Sequence, residues 1–428
     1  MNRRKLLSFV ILFFTILLSK NLFISNFALD IPLDDQWNGE LMSIYKPFEE
    51  GSLSWKDLFA SHNEHRIFFT RIFNLSIYIL NGNRWDHVLV IRLQSILASL
   101  IPILIVFFLY RNQRIPLFSV FFFGVISSVP ILYESLTIGF DNQRFFMQIF
   151  TILTISRLNT KFRFFDFILV CFFTTCAYFS MAGGIVSGIV SLGFYLSCFL
   201  FVKRDKILLL YSIILILLVS TFYFFTIKPE PHIFLKSSTF SEFLLALYTL
   251  MDYPKFGAFL IWAPLILIVI ISWQKRYLHH FYIWFLVSIV FFALITSYSR
   301  GHALLLTLSN RYFETTIFSV FILCYGFDFL LESYKKTKYI LLSFILFLVV
   351  TTSYFNVIMV KHDKRRELAV KNYHKYFALE KSKKGSGEQF LQSITNIEEI
   401  IYPYPTDLIS FFKDQTASKI LERSGLAK

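Results

Sequence analysis

Long apolar runs recur along the chain, each near the roughly 20 residues that one helix needs to cross a bilayer. Leu6 to Ile24 is the first, and others are read at 88–109, 116–132, 145–156, 164–180, 183–202, 207–227, 256–273, 281–297, 312–331 and 340–359. The pattern predicts about eleven spans. No soluble domain could bury so much apolar length: 56% of the 428 residues are hydrophobic and 16% charged, against about 25% charged in ordinary soluble domains. The expected fold is therefore all-α, a polytopic membrane protein. The run at 145–156 is short, and Asp141, Asn142, Gln143 and Arg144 crowd its entrance, which suits a tilted, broken or re-entrant helix lined by protein.

Charge sets the orientation. Arg3, Arg4 and Lys5 precede the first run, which ends in no A-x-A cleavage site, so it reads as an uncleaved helix with a cytoplasmic N-terminus. Short basic connections follow alternate spans: Arg111–Arg114, Arg157–Arg163, Lys203–Lys206, Lys275–Arg276 and Lys335–Lys338. By the positive-inside rule all five are cytoplasmic. This bias accounts for the excess of 42 Lys and Arg over 28 Asp and Glu without a nucleic-acid partner. Residues 30–87, Tyr133–Arg144, Lys228–Lys255, Tyr298–Arg311 and the tail after Lys361 then share the extracytoplasmic side. Cys171, Cys176, Cys198 and Cys324 all lie within apolar runs and read as small core residues.

The first outer loop is the densest polar stretch. Asp34 and Asp35 are an acidic pair that suits a general base or a divalent cation, with Asp35 the first choice; the plainer reading is a solvated turn after Pro32. Ser54-Trp-Lys-Asp57 and Ser61-His-Asn-Glu64 both fit the capping-box pattern. They predict two short helices, the second amphipathic from about His62 to Leu80 and lying in the membrane interface. Capping alone would explain Glu64, whereas His65 and Arg66 suit hydrogen bonding to a substrate. His62, His65 and Glu64 do not follow the H-E-x-x-H metal spacing.

Elsewhere on the same side stand Glu134, Asp141, Arg144, Arg300, His302 and Arg311. Three arginines against the positive-inside trend suit a phosphate, because a guanidinium presents a planar fork of donors; the alternative is headgroup anchoring. Residues 361–428 read as a polar tail, helical at first, with a linker signal at Lys384-Gly-Ser-Gly387 and an extended Tyr402-Pro-Tyr-Pro405. It offers a docking or lid element, or disorder over part of its length, and no catalytic constellation.

A first span, an acidic outer loop with amphipathic helices and many further spans together resemble the GT-C class of integral membrane glycosyltransferases. More narrowly, Asp34-Asp35-Gln-Trp37, His62-Asn-Glu-His-Arg66, Glu134 to Gln143, the Ser180 to Gly184 turn and Ser309-Asn-Arg-Tyr312 look like a largely uncharacterised bacterial group within it, over most of residues 1–360. The resemblance implies a polyprenyl-phosphate sugar donor, a glycan, lipid or protein acceptor, a setting among the lipids of the bacterial cytoplasmic membrane, and an acidic base at Asp34 or Asp35. It leaves a divalent metal cofactor open. The chain departs from the class at Ile138-Gly-Phe-Asp141-Asn-Gln143, where Trp-Gly-Phe-Gln is expected. A surface-polysaccharide polymerase or ligase would use similar outer-loop residues. A lipid-linked sugar transporter would need mid-membrane polar groups and internal repeats, neither of which stands out.

Overall fold

A computed structural model describes residues 3–130, 133–226, 234–275, 277, 280–306, 310–330, 335–361, 364–394, 399–402 and 404–427. Among the described residues the architecture is all-α apart from one hairpin of two-residue strands, Ser61–His62 and His65–Arg66. Among the same residues six helices are long and apolar enough to cross a membrane: Lys5–Phe27, His87–Leu109, Ala182–Phe201, Lys206–Phe225, Phe281–Leu306 and Lys336–Lys361. The chain thus has the helices of a multi-pass membrane protein. The other five predicted spans are also helical but shorter, as Leu117–Ser128, Asn142–Arg157, Phe164–Tyr178, Ala258–Gln274 and Ser319–Phe329. At about 1.5 Å per residue, the 12 residues of Leu117–Ser128 reach about 18 Å, short of a hydrocarbon core of about 30 Å.

The bundle is inverted relative to a soluble protein. Leu7, Ile11, Phe14, Leu18 and Leu22 on the first helix are exposed, whereas Ser187, Ser191, Ser288 and Ser297 are buried between helices. Each of these serines returns its hydroxyl to a main-chain carbonyl of its own helix, so no polar atom of the group is stranded and neighbouring backbones can approach closely. At one end of the bundle, Asp328 accepts from Tyr110 Oη at 2.6 Å and from Ser119 Oγ at 2.7 Å and pairs with Lys338. This buried network ties four helices together.

A second core lies outside the bundle. Ile31, Trp37, Leu41, Tyr45, Tyr78 and Trp85 of the first loop pack against Tyr373, Tyr376, Leu391, Ile401, Leu408, Phe412 and Leu421 of the tail. The described residues of the tail form four helices, Lys364–Ser382, Ser386–Ser393, Pro405–Lys413 and Gln415–Arg423. The linker signal turns out to be a break between the first two, with Gly385 at φ +86°. Polar contacts pin the two parts: Lys46 Nζ to Asp414 Oδ2 at 2.5 Å, Arg423 Nη2 to Glu49 Oε1 at 2.6 Å and the Trp85 N–H to Ser424 Oγ at 2.8 Å. Between them Glu40, fully buried, accepts from Tyr45 Oη, Trp85 Nε1 and Gln36 Nε2.

The two predicted capping boxes part ways. Asp57 accepts from the Ser54 N–H at 2.8 Å and begins Trp55–Phe59 as expected. Ser61 to Glu64 instead forms the hairpin, with Asn63 at φ +51° in its two-residue turn and His62 opposite His65. The following helix therefore starts at Phe68 and runs to Leu80. Its polar side points inward: Thr70, Arg71 and Asn74 are buried, and Leu80 is exposed. Asn142 Nδ2 donates to Asn74 Oδ1 at 2.7 Å, giving the inward face a polar partner on the Asn142–Arg157 helix.

Candidate functional site

The acidic pair sits where the first loop leaves the first helix. Asp34 adopts a left-handed backbone, φ +48°, and its N–H donates to Ile401 O of the tail at 2.9 Å. The next turn, Trp37–Tyr45, is a wide helix that returns Gly39 to the Asp35 carbonyl at 2.7 Å. Asp35 itself is half-exposed. His62 Nε2 stands 3.7 Å from Asp35 Oδ1, an ion-pair separation, and the hairpin holds that ring in place. Burial pushes the Asp35 carboxyl up, but His62, Arg311 and His65 outweigh it and keep the group below its ordinary value. A carboxylate so held is ionised at neutral pH and open to solvent on one side.

The loop that departs from the class pattern forms a wall of this site. Phe140 lies edge-on to His62, ring centroids 4.9 Å apart, and Gly39 admits it: a Cβ at residue 39 would stand 2.5 Å from Phe140 Cζ. Gln94 Nε2 donates to Ser135 O and Ile138 O and fastens the loop to the His87–Leu109 helix. Asp141 lies 3.8 Å from Arg144 Nε.

The three arginines converge. Arg144 stands over the Tyr312 ring at 5.1 Å and Arg311 over the same ring at 5.5 Å, and Arg144 Nη1 donates to Arg311 O at 3.1 Å. Arg300 pairs with Glu64 and also lies within electrostatic reach of Tyr312. Arg311 in turn feels Asp34, Glu134 and Asp141. Glu64 Oε1 is 3.5 Å from His65 Nε2, so its carboxylate serves an ion pair and not a helix cap. Burial pushes His65 down to about 4, with Arg300, Arg144 and His62 reinforcing the shift and Glu64 opposing it; the ring is neutral at physiological pH. Arg144 Nε and Arg311 Nε are buried and make no hydrogen bond, and Arg144 Nε stands at ion-pair distance from Asp141.

Eight of the ten residues singled out from the sequence thus form one neighbourhood: Asp34, Asp35, Glu64, His65, Glu134, Arg144, Arg300 and Arg311. Two do not join it. Arg66 donates to Phe59 O at 3.0 Å and rests over the Phe225 ring, a structural tie between the hairpin and a bundle helix. His302 pairs with Glu242 at 2.6 Å on the face where Phe240–Met251 packs against Phe281–Leu306. The expected Asn310-Arg-Tyr312 signature contributes Arg311 and Tyr312, and Ser309 lies outside the described residues. Tyr312 and Phe140 were missed as site residues; adjacency to Arg311 and Asp141 was the available signal.

Among the described residues no group of three or more His, Cys, Asp or Glu side chains is arranged to hold a metal ion. No protein-family profile, curated protein or solved structure matches the chain.

Proposed function

We propose that the chain is an integral membrane glycosyltransferase of the GT-C class, with about eleven spans, that moves a sugar from a polyprenyl-phosphate donor to a glycan, lipid or protein acceptor. The chemistry would take place on the extracytoplasmic face of the bacterial cytoplasmic membrane. One observation carries the reading: Asp35, ionised and half-exposed, shares its surroundings with three guanidiniums grouped at Tyr312. A base and an anion clamp in one place are what displacement at a phosphate-linked sugar requires.

In this mechanism the Asp35 carboxylate accepts the proton of an acceptor hydroxyl. The hydroxyl oxygen bonds to the anomeric carbon as the bond from that carbon to the phosphate oxygen breaks. The electron pair leaves with the lipid phosphate, and Arg144, Arg300 and Arg311 stabilise the charge that develops there. A single displacement inverts the anomeric centre. His62 contributes to holding Asp35 below its ordinary value, and Asp34 lies within electrostatic reach of Arg311.

The test is transfer of radiolabelled sugar from a panel of polyprenyl-phosphate sugars into membrane glycan, comparing wild type with Asp35→Ala at equal protein levels. Transfer lost with Asp35 supports the assignment. Absence of transfer from every donor, with altered glycan chain length in a deletion strain, would replace it with a polymerase or ligase.

A further inference from the structure

Tyr402, Tyr404 and Pro405 have no part in the mechanism, yet the tail brings Ile401 and Tyr402 to the acidic pair. Ile401 O accepts the Asp34 N–H at 2.9 Å, Tyr402 lies within electrostatic reach of Asp35, and the Tyr402 and Tyr404 rings meet at 5.6 Å and 66°. Their exposures differ in a way that matters. Tyr402 is 4% exposed and anchored in the second core, tilted against Phe411, whereas Tyr404 is 54% exposed. Pro405 opens the Pro405–Lys413 helix, so Tyr404 sits at a fixed position and is not at the end of a loose chain.

An exposed tyrosine on a rigid support, in ring contact with the Tyr402 that lies within electrostatic reach of Asp35, is an apolar plate with a polar tip. The axial C–H face of a pyranose is the matching surface, and its hydroxyls are the groups that Asp35 would deprotonate. In a single displacement the acceptor approaches the anomeric carbon from the side opposite the leaving phosphate. The arginines at Tyr312 claim the phosphate, so the acceptor must enter elsewhere, and the tail segment is one of the elements held against the acidic pair.

Resting on the glycosyltransferase reading above, we propose that the tail supplies the acceptor subsite, that its ligand is a carbohydrate, and that Tyr404 is the ring on which the acceptor sugar stacks. Tyr402 is a positioning residue that backs Tyr404 and fixes the tail against Asp35. The tail is then a specificity element, and an acceptor without a sugar ring at its reactive end would be a poor substrate.

The experiment uses the full-length protein in detergent or nanodiscs with undecaprenyl-phosphate-linked glucose, galactose or mannose as donors. Decyl glycosides of glucose, galactose, mannose and N-acetylglucosamine serve as acceptor probes, with decanol as the acceptor lacking a ring. Tyr404→Ala and Tyr404→Phe are compared with wild type, and release of free sugar from donor in the absence of acceptor is followed in parallel. Tyr404→Ala should raise the acceptor KM about three- to tenfold, the loss of one aromatic stacking contact. Donor KM and acceptor-free sugar release should stay unchanged, and Tyr404→Phe should behave as wild type. Wild-type transfer with an acceptor KM that Tyr404→Ala leaves unmoved, or equal use of decanol and decyl glycosides, overturns the acceptor subsite alone. Wild type that neither transfers nor releases sugar from any donor overturns the glycosyltransferase reading beneath it.

Discussion

Gly39→Ala adds one methyl group next to the proposed base without touching a charged residue. Its Cβ would stand 2.5 and 2.6 Å from two carbons of the Phe140 ring and 3.3 Å from His62 Cε1, where carbon atoms in contact keep about 3.5–4.0 Å. The ring must therefore retreat by about 1 Å. Phe140 is 2% exposed and has no open space to move into, so the strain passes to its edge-on neighbour His62, whose Nε2 faces Asp35 at 3.7 Å. Overpacking of this kind costs about 1–3 kcal/mol, and a displacement of about 1 Å at a reacting group costs about 10²-fold in rate. In the transfer assay kcat should fall by about that factor, the acid limb of the pH profile should move up as His62 leaves Asp35, and the denaturation midpoint should drop. Phe140→Leu in the same chain makes room for the methyl group, so the double variant should recover by more than additivity allows, with a coupling of about 0.5–3 kcal/mol. Unchanged stability and unchanged kcat in Gly39→Ala would refute the packing argument.

Asp35→Asn should lower transfer by about 10²–10⁴-fold while the half-exposed site keeps stability within about 0.5 kcal/mol; retained transfer in this variant, with loss in Asp34→Asn, would move the base to Asp34. Arg311→Ala should reduce donor kcat/KM by about 10²–10³-fold, and Arg311→Lys should restore only part of it because the planar fork is gone; equal loss with phosphate-free glycosides would argue against a phosphate role. Burial raises Glu40 to about 7, against three hydrogen bonds that lower it, so the folded chain keeps a proton that the unfolded chain releases above about 4.3. Its contribution is complete below that value and is lost as pH rises through about 7, roughly 3 kcal/mol in all. Urea unfolding read by the fluorescence of Trp37 and Trp85, which surround Glu40, should show the decline, and Glu40→Gln should remove it.

Much of the bundle was legible because a span is a local property. The bilayer requires an apolar run, and the run is visible whether or not its neighbours are known; each of the eleven predicted segments contains a helix, and six of those helices are long and apolar enough to cross a membrane. Ser61-His-Asn-Glu64 shows where local reading stops. The same four residues satisfy a capping box and a two-residue hairpin turn, and nothing within them decides between the two. The decision comes from distant groups: Arg300 takes the Glu64 carboxylate, Arg71 Nη1 donates to Asp57 O and Ala60 O, and the Phe68 N–H donates to Phe179 O at 2.9 Å. A partly buried charge-assisted contact outweighs a single cap, so the helix begins seven residues after Ser61. The same logic separates the arginines. Arg144, Arg300 and Arg311 could be grouped from their shared side of the membrane, whereas Arg66 stood close to the acidic loop in sequence and was spent on Phe59 O and the Phe225 ring. The tail was the least legible part. Its polar composition reads as an appendage, yet Tyr373, Tyr376, Phe411 and Phe412 come together only when the helices Lys364–Ser382 and Pro405–Lys413 pack into one core, and their partners Trp37, Tyr45 and Trp85 lie more than 280 positions away in the sequence. An aromatic cluster split over two helices that are distant in sequence leaves no single periodic run to detect.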